Sequence, residues 1–148
     1  MSVSLIRGSS DPDPYPEYGM HDFSIALGVC PQQSPDALLD MAERFSHLPC
    51  ACSARPGMGT LPMEKTLLSL EGARLSAVKP AQDENGIMLR VYDASGKGGP
   101  ACARFGFDAK AVFEADINET PGRELPLADN AVSFDIGPWE IRTLLIRC

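Results

Sequence analysis

Short stretches of alternating apolar and polar residues dominate the second half of the chain. Such alternation is typical of strands that bury one face, because successive side chains point to opposite sides of a sheet. Turn-forming clusters such as residues 83–86 and 95–100 separate the stretches at intervals of roughly ten residues. The predicted strands cover residues 66–70, 74–79, 87–92, 101–107, 111–117, 131–136 and 139–146. About seven short strands indicate a mainly β chain folded as an antiparallel, immunoglobulin-like β-sandwich.

The same alternation predicts which side chains fill the core. The positions expected to face inward are Ile87, Leu89, Val91, Val132, Phe134, Ile136, Trp139 and Ile141. The positions expected to face solvent are Arg90, Asp135, Glu140 and Arg142. Both sets follow from the period of two in a pleated strand.

The first half of the chain predicts one strand and one short helix. Residues 22–27 alternate as a half-buried strand would. Ser34 and Pro35 fit the N-cap and the first position of a helix that Pro49 stops. The apolar residues at helical spacing within it are Leu38, Met41, Ala42 and Phe45. Residues 49–63 show no period and predict an irregular loop.

Size, charge and cysteine content exclude several classes of function. A chain of 148 residues is shorter than a barrel enzyme of about 250 residues. The 13 Lys and Arg against 20 Asp and Glu give a net charge of −7, which argues against a nucleic-acid partner. No apolar run reaches the roughly 18 residues of a membrane span, and no signal peptide is recognisable. The five cysteines are odd in number and irregularly spaced, so we expect a reducing, cytoplasmic location.

One cluster has the composition of a metal site. His47, Cys50 and Cys52 place three potential zinc ligands within six positions, and a catalytic zinc can be held by three protein ligands plus water. A fourth ligand and the usual paired-cysteine spacing are missing, so buried or idle thiols are the alternative interpretation. A disulfide between the two cysteines is disfavoured, because an extended pair overshoots the Cα window of ~4.4–6.8 Å.

Two further residues are candidates for contact with sugar. His21 precedes the predicted strand 22–27 and either binds carbohydrate or anchors its loop. Trp139 either packs in the core or stacks on a sugar ring. Residues 95–99 resemble a phosphate loop in composition but lack its residue order and its helix, so they predict a hairpin loop. The sequon at 118–120 is interpreted as a turn.

Three blocks of the sequence resemble the carboxy-terminal region of glycoside hydrolase family 38 α-mannosidases. Residues 76–96, SAVKPAQDENGIMLRVYDASG, are similar to a recurring segment of that family, and residues 138–146, PWEIRTLLI, to its closing strand. Residues 3–27 are similar to a block further upstream. The order and spacing of the blocks agree with the family, whereas residues 30–64 match poorly.

The resemblance implies that the chain contains parts of two domains and that the catalytic site of the family lies in another domain. It implies that residues 1–71 end a large β-sandwich, with a short helix near 35–47, and that residues 72–148 form the terminal sandwich. Whole family members are zinc-dependent retaining α-mannosidases whose zinc ligands and catalytic carboxylates lie in an amino-terminal barrel. No position here matches those residues, so no catalytic, cofactor-binding or metal-binding residue is assigned, and no cofactor is expected in this fragment.

Three hypotheses of function follow. The first is a non-catalytic C-terminal domain of an α-mannosidase with a role in mannose metabolism, inactive alone and partnered by the remaining domains, with exposed apolar surface and self-association when isolated. The second is a stand-alone carbohydrate-binding or structural module. The third is an independent enzyme that uses zinc at the cluster of His47, Cys50 and Cys52.

Overall fold

The computed structural model describes residues 2–6, 11–12, 18–30, 34–55, 57, 59–60 and 62–148. Within these residues the chain forms one helix, α1 (Pro35–Ser46), and nine strands. The strands are β1 (Leu68–Glu71), β2 (Arg74–Pro80), β3 (Ile87–Tyr92), β4 (Gly99–Phe105), β5 (Ala111–Ala115), β6 (Pro121–Leu125), β7 (Leu127–Ala128), β8 (Ala131–Ile136) and β9 (Ile141–Arg147).

The strands form two antiparallel sheets. One sheet has four strands in the order β1-β4-β8-β7, and the other has five in the order β2-β3-β9-β5-β6. The core lies between them, because side chains from β3, β4, β8 and β9 form a single buried apolar cluster. The predicted mainly β, antiparallel sandwich with one short helix is confirmed.

The helix begins and ends for local reasons. The Ser34 side chain accepts a hydrogen bond from the Ala37 N–H at 3.2 Å, and Pro35 occupies the first turn, where a backbone donor would lack a partner. The helix ends at Ser46, and the His47 N–H donates to the Glu43 carbonyl at 2.8 Å. The predicted N-cap is confirmed.

Most of the predicted core is confirmed. Leu89, Val91, Val132, Phe134 and Ile136 are all buried between the sheets. Ile87 is half-buried and packs against the same cluster. The alternation located these residues because β3 and β8 bury one face in the core.

The start of β9 departs from the prediction. Trp139 and Ile141 were expected to face inward, but they are 68% and 60% exposed. Trp139 lies in a turn with φ of 60°, and β9 begins only at Ile141. Residues 143–146 are all buried: Leu144 and Ile146 belong to the core cluster between the sheets, and Thr143 and Leu145, on the opposite face, lie between the neighbouring strands β3 and β5. A strand covered on both faces gives a continuous apolar run and no alternation.

The prediction of solvent-facing residues is only partly confirmed. Asp135 is exposed as expected, whereas Arg90, Glu140 and Arg142 are half-buried. Arg90 lies against the outer face of the sheet, where its Nε donates to Thr143 Oγ1 at 3.2 Å. Its Nη2 donates to the Ile117 carbonyl at 3.1 Å, so the guanidinium is held by the sheet and by the β5–β6 turn.

The predicted strand over residues 22–27 is wrong. These residues are described and form no strand, and Phe23, Ile25 and Leu27 are 48%, 59% and 89% exposed. Alternation alone does not make a strand without a neighbouring strand to pair with. Two strands were not predicted: β6 begins at Pro121 and lies at a sheet edge, and β7 has two residues.

The sandwich begins before the predicted domain boundary. β1 pairs with β4, with Leu68 opposite Phe105. The division into residues 1–71 and 72–148 remains a prediction. Among the described residues, no helix is long and apolar enough to cross a membrane.

Candidate functional site: a loop platform at one end of the sandwich

Two loops meet at one end of the sandwich and form what we call the loop platform, residues 93–98 and 137–140. The first connects β3 to β4 and the second connects β8 to β9. The Asp93 N–H donates to the Glu140 carbonyl at 3.0 Å, and the Trp139 N–H donates to Asp93 Oδ2 at 3.0 Å. These two bonds join loops that are 46 residues apart in the chain.

Asp93 is the centre of the platform. The residue is 5% exposed, and its carboxylate accepts bonds from both loops. Its donors are the N–H groups of Ser95 (3.1 Å), Gly96 (2.8 Å), Gly98 (3.3 Å) and Trp139 (3.0 Å) and the Ser95 hydroxyl (2.7 Å). The Ser95 hydroxyl, and then the Trp139 N–H, hold the pKa of this carboxyl well below its usual range. Asp93 is therefore ionised at neutral pH and fixes the loops by charge-assisted bonds.

Trp139 is the large side chain that the platform displays. Its φ of 60° is unusual for a residue with a Cβ, and Asp93 holds that conformation through the backbone N–H. The indole lies against the backbone of Gly96, where an added Cβ would lie 2.3 Å from Cζ2. Gly96 is thus required both by this close approach and by its own φ of 70°.

A carboxylate and a guanidinium brace the second loop. Glu140 Oε2 accepts from the Gly137 N–H at 2.5 Å, and its Oε1 accepts from Arg142 Nε at 3.2 Å. Arg142 also pairs with Glu114, which in turn pairs with Arg123 at 3.1 Å. Both carboxylates are engaged with guanidinium groups, which suits a structural role rather than proton transfer.

A polar cleft of about 350 Å³ opens beside the platform. Ser95, Lys97 and Gly98 line it from the platform, and Asp36 and Arg74 line it from α1 and β2. The cleft is therefore bordered by hydroxyl, carboxylate and cationic groups.

Arg74 connects this cleft to the helix. Its guanidinium pairs with Asp36 (3.4 Å), Asp40 (2.6 Å) and Glu43 (3.2 Å), all on one face of α1. The hydrogen bond to Asp40 is the largest cause that raises the pKa of Arg74, whose side chain is 16% exposed. The acidic face of α1 is therefore held against the edge of the five-stranded sheet.

The predicted metal cluster does not assemble. His47, Cys50 and Cys52 are exposed, and no group of three His, Cys, Asp or Glu side chains in the described residues is arranged to hold a metal ion. Cys50 and Cys52 are not joined by a disulfide. His21 stacks on Phe23, with 6.1 Å between ring centroids.

The predicted loops have mixed outcomes. Residues 95–99 do form a loop with glycine at positive φ, but it links strands of different sheets and is not a hairpin. The sequon does form a turn, in which Asp116 Oδ1 accepts the N–H groups of Asn118 and Thr120 at 2.9 and 2.8 Å. That turn connects β5 and β6, which pair in one sheet.

Two contacts of the site were not predicted from the sequence, although each has a local signal there. The order Asp93, Ser95, Gly96 is a local signal for an aspartate that caps its own turn. The spacing of Asp36, Asp40 and Glu43 places three acids on one helical face, which signals a cationic partner. Neither signal identifies the distant partner, Trp139 in one case and Arg74 in the other.

Comparison with known proteins assigns the sandwich to a family. Residues 72–144 match the family described as "Glycosyl hydrolases family 38 C-terminal beta sandwich domain". Residues 72–144 are a family 38 C-terminal domain. The resemblance seen in residues 76–96 and in the closing strand is thereby confirmed, and the family 38 domain contains all of β2 and both loops of the platform.

A curated relative extends the similarity beyond the family 38 domain. A human protein named "Alpha-mannosidase 2C1" is 24% identical over an alignment of 152 residues that covers 99% of this chain. The chain spans only 15% of the length of that relative. No solved structure shows a significant match.

Proposed function

We propose that this chain serves as the non-catalytic C-terminal β-domain of an α-mannosidase that is zinc-dependent and retains anomeric configuration. The observation that carries the proposal is the family 38 match over residues 72–144. The similarity to a named α-mannosidase along nearly the whole chain supports it. Because the chain spans 15% of that relative, most of such an enzyme lies outside this sequence.

The described residues do not fit the zinc that such an enzyme would use. The described part contains no gathered group of three metal-ligating side chains. Retaining glycosidases place two carboxyl groups ~5–5.5 Å apart around the scissile bond. Glu140 of the platform and Glu114 of β5 are both bound to Arg142. On this proposal zinc, nucleophile and acid/base belong to the remaining domains, and the chain alone does not hydrolyse mannosides.

Exposed apolar side chains support partnership with those remaining domains. A folded chain rarely exposes so many large apolar groups unless another surface covers them. Those that precede β1 are Val3, Leu5, Ile6, Tyr18, Met20, Phe23, Ile25, Leu27, Val29, Leu38, Met41, Phe45, Leu48, Met63 and Leu67. Without its partner domains, the chain is expected to self-associate through this surface.

The orientation of α1 also supports partnership with the remaining domains. Asp36, Asp40 and Glu43 face Arg74 on the sandwich. With 3.6 residues per turn, the apolar stripe of Leu38, Met41 and Phe45 lies on the opposite side of the helix. These three side chains are 57%, 38% and 45% exposed. Met41 also contacts Gly28 of this chain, and the part of the stripe that stays exposed is available to another domain.

The proposal includes a cytoplasmic location. The five cysteines are odd in number and irregularly spaced, which argues against a disulfide framework. Unbridged thiols are the rule in reducing compartments.

Hydrolysis of 4-nitrophenyl α-mannoside by the purified chain, with added zinc, tests whether the chain alone is inactive. We expect no turnover above a zinc-only control. Turnover at the rate of a full-length α-mannosidase would contradict the proposal.

A stand-alone carbohydrate-binding or structural module is the second candidate, and the exposed indole of Trp139 favours it. The genomic neighbourhood separates the two candidates. A reading frame beside this one that encodes the catalytic domains would support the first.

A further inference from the structure

We propose that the loop platform is a sugar-binding site in which a hexopyranose ring of an α-mannoside stacks on the indole of Trp139. The choice of mannoside rests on the proposed function. The stacking itself rests on the geometry of the platform.

Trp139 differs from the other exposed apolar residues in how firmly it is held. Its side chain is 68% exposed, yet its backbone N–H is bound to the buried Asp93 carboxylate and its ring lies against Gly96. Its φ of 60° is a conformation that costs free energy and persists only where the surroundings impose it. A large aromatic side chain is thus displayed on a rigid support, which lowers the entropy lost when a ligand binds.

The surroundings of the indole fit a sugar better than an apolar protein surface. A hexopyranose has an apolar face of C–H groups and a rim of hydroxyls, so it needs an aromatic face beside polar groups. Ser95 and Lys97, which are both exposed, flank the Gly96 that the indole touches. Ile117 and Ile141 are also exposed, but they line a different cleft to which Trp139 does not contribute.

The polar cleft beside the platform provides room for a second ring. Its volume of about 350 Å³ is within the range of small-ligand sites. Ser95 and Lys97 belong to both the platform and the cleft, which Arg74 and Asp36 also line, whereas the indole of Trp139 lies outside its lining. We therefore expect a disaccharide to bind more tightly than a monosaccharide.

Titration of the full chain with methyl α-mannoside and with an α-linked mannobiose tests the proposal. Trp139 is the sole tryptophan of the chain, so its emission reports this site directly. We expect a saturable change in emission in the millimolar range, larger for mannobiose than for methyl α-mannoside at equal concentration. Methyl α-galactoside and glycerol serve as controls for stereochemistry and for bulk solvent.

Three variants identify the residues that bind, with calorimetry as the readout because Trp139→Ala removes the fluorophore. Trp139→Ala should weaken binding by at least about tenfold, and Trp139→Phe should lose less because it keeps an aromatic ring. Ile141→Ala is the matched control, since it removes an apolar side chain of similar exposure two residues away, and should leave affinity unchanged. Circular dichroism and the urea midpoint verify that each variant is folded.

The proposal is overturned if neither readout shows saturation up to ~50 mM sugar, or if Trp139→Ala binds as well as the parent chain. It is also overturned if Trp139 emission responds to protein concentration and not to sugar, which would identify the platform as a protein contact. Failure of the proposed function would instead be seen in the hydrolysis assay, which does not depend on sugar binding at this site.

Discussion

Replacement of Gly96 by alanine perturbs the contact on which the loop platform is built. Gly96 has φ of 70°, and an alanine Cβ would lie 2.3 Å from Cζ2 and 2.4 Å from Cε2 of Trp139. Two costs follow, one from the backbone conformation and one from the collision with the indole. Because Trp139 is mostly exposed, the ring can move away from the added methyl group.

The magnitude of the two costs can be worked from this geometry. Left-handed backbone costs alanine about 1–2 kcal/mol, and the reduced freedom of the unfolded chain offsets about 0.4–1 kcal/mol of that. The indole must retreat by about 1.2 Å to reach an ordinary carbon–carbon contact of about 3.5 Å. We expect a net loss of about 1–2 kcal/mol in the free energy of unfolding and a Tm lower by about 3–8 °C.

Tryptophan emission with acrylamide quenching, together with urea unfolding, measures both effects. In Gly96→Ala we expect emission to shift to longer wavelength and quenching to increase, because the indole leaves its support. Gly99→Ala is the matched control: Gly99 has φ of 137°, but nothing lies within 4 Å of its Cβ position. It should lower stability without changing the emission of Trp139. Unchanged emission in Gly96→Ala, or the same shift in both variants, would refute the reasoning.

Three further predictions test the core, the helix clamp and the buried carboxylate. Leu144→Ala, in the middle strand, should lower the free energy of unfolding in urea by about 2–5 kcal/mol, and a loss below 1 kcal/mol would contradict the core assignment. Arg74→Ala should speed amide hydrogen exchange in α1 while the sandwich strands keep their protection, and unchanged exchange in α1 would contradict the clamp. The pKa of Asp93 is lowered on folding, so its stabilisation is complete above the unfolded pKa of about 3.9 and declines as the pH falls towards the folded value. Asp93→Asn should therefore flatten the acid limb of the stability–pH curve measured by chemical unfolding, and an unaltered limb would be evidence against this role.

The sequence predicted the parts of the fold that depend on local pattern. β3 and β8 bury one face in the core, so their alternation identified Leu89, Val91, Val132 and Phe134 correctly. The start of β9 was misread, because residues 143–146 are buried on both faces and show no alternation, and Trp139 and Ile141 lie before this buried run. Position within a sheet is a non-local property that alternation does not encode.

The candidate site was harder to predict for the same reason. Trp139 was recognised as a candidate, but its rigidity comes from Asp93, 46 residues earlier in the chain. Conversely, His47, Cys50 and Cys52 are close in sequence, yet they are exposed and form no metal-ligating group. Closeness in sequence brings side chains together only where the backbone curves to converge them.

The central proposal is that this chain serves as the C-terminal domain of an α-mannosidase, and a domain replacement tests it most directly. The segment of human Alpha-mannosidase 2C1 that this chain matches is replaced by this chain, and hydrolysis of 4-nitrophenyl α-mannoside is measured with zinc present. The control is the same enzyme with the segment deleted. We predict that the chimera hydrolyses the mannoside well above the deleted enzyme, while the chain alone does not. A folded chimera no more active than the deleted enzyme would contradict the claim.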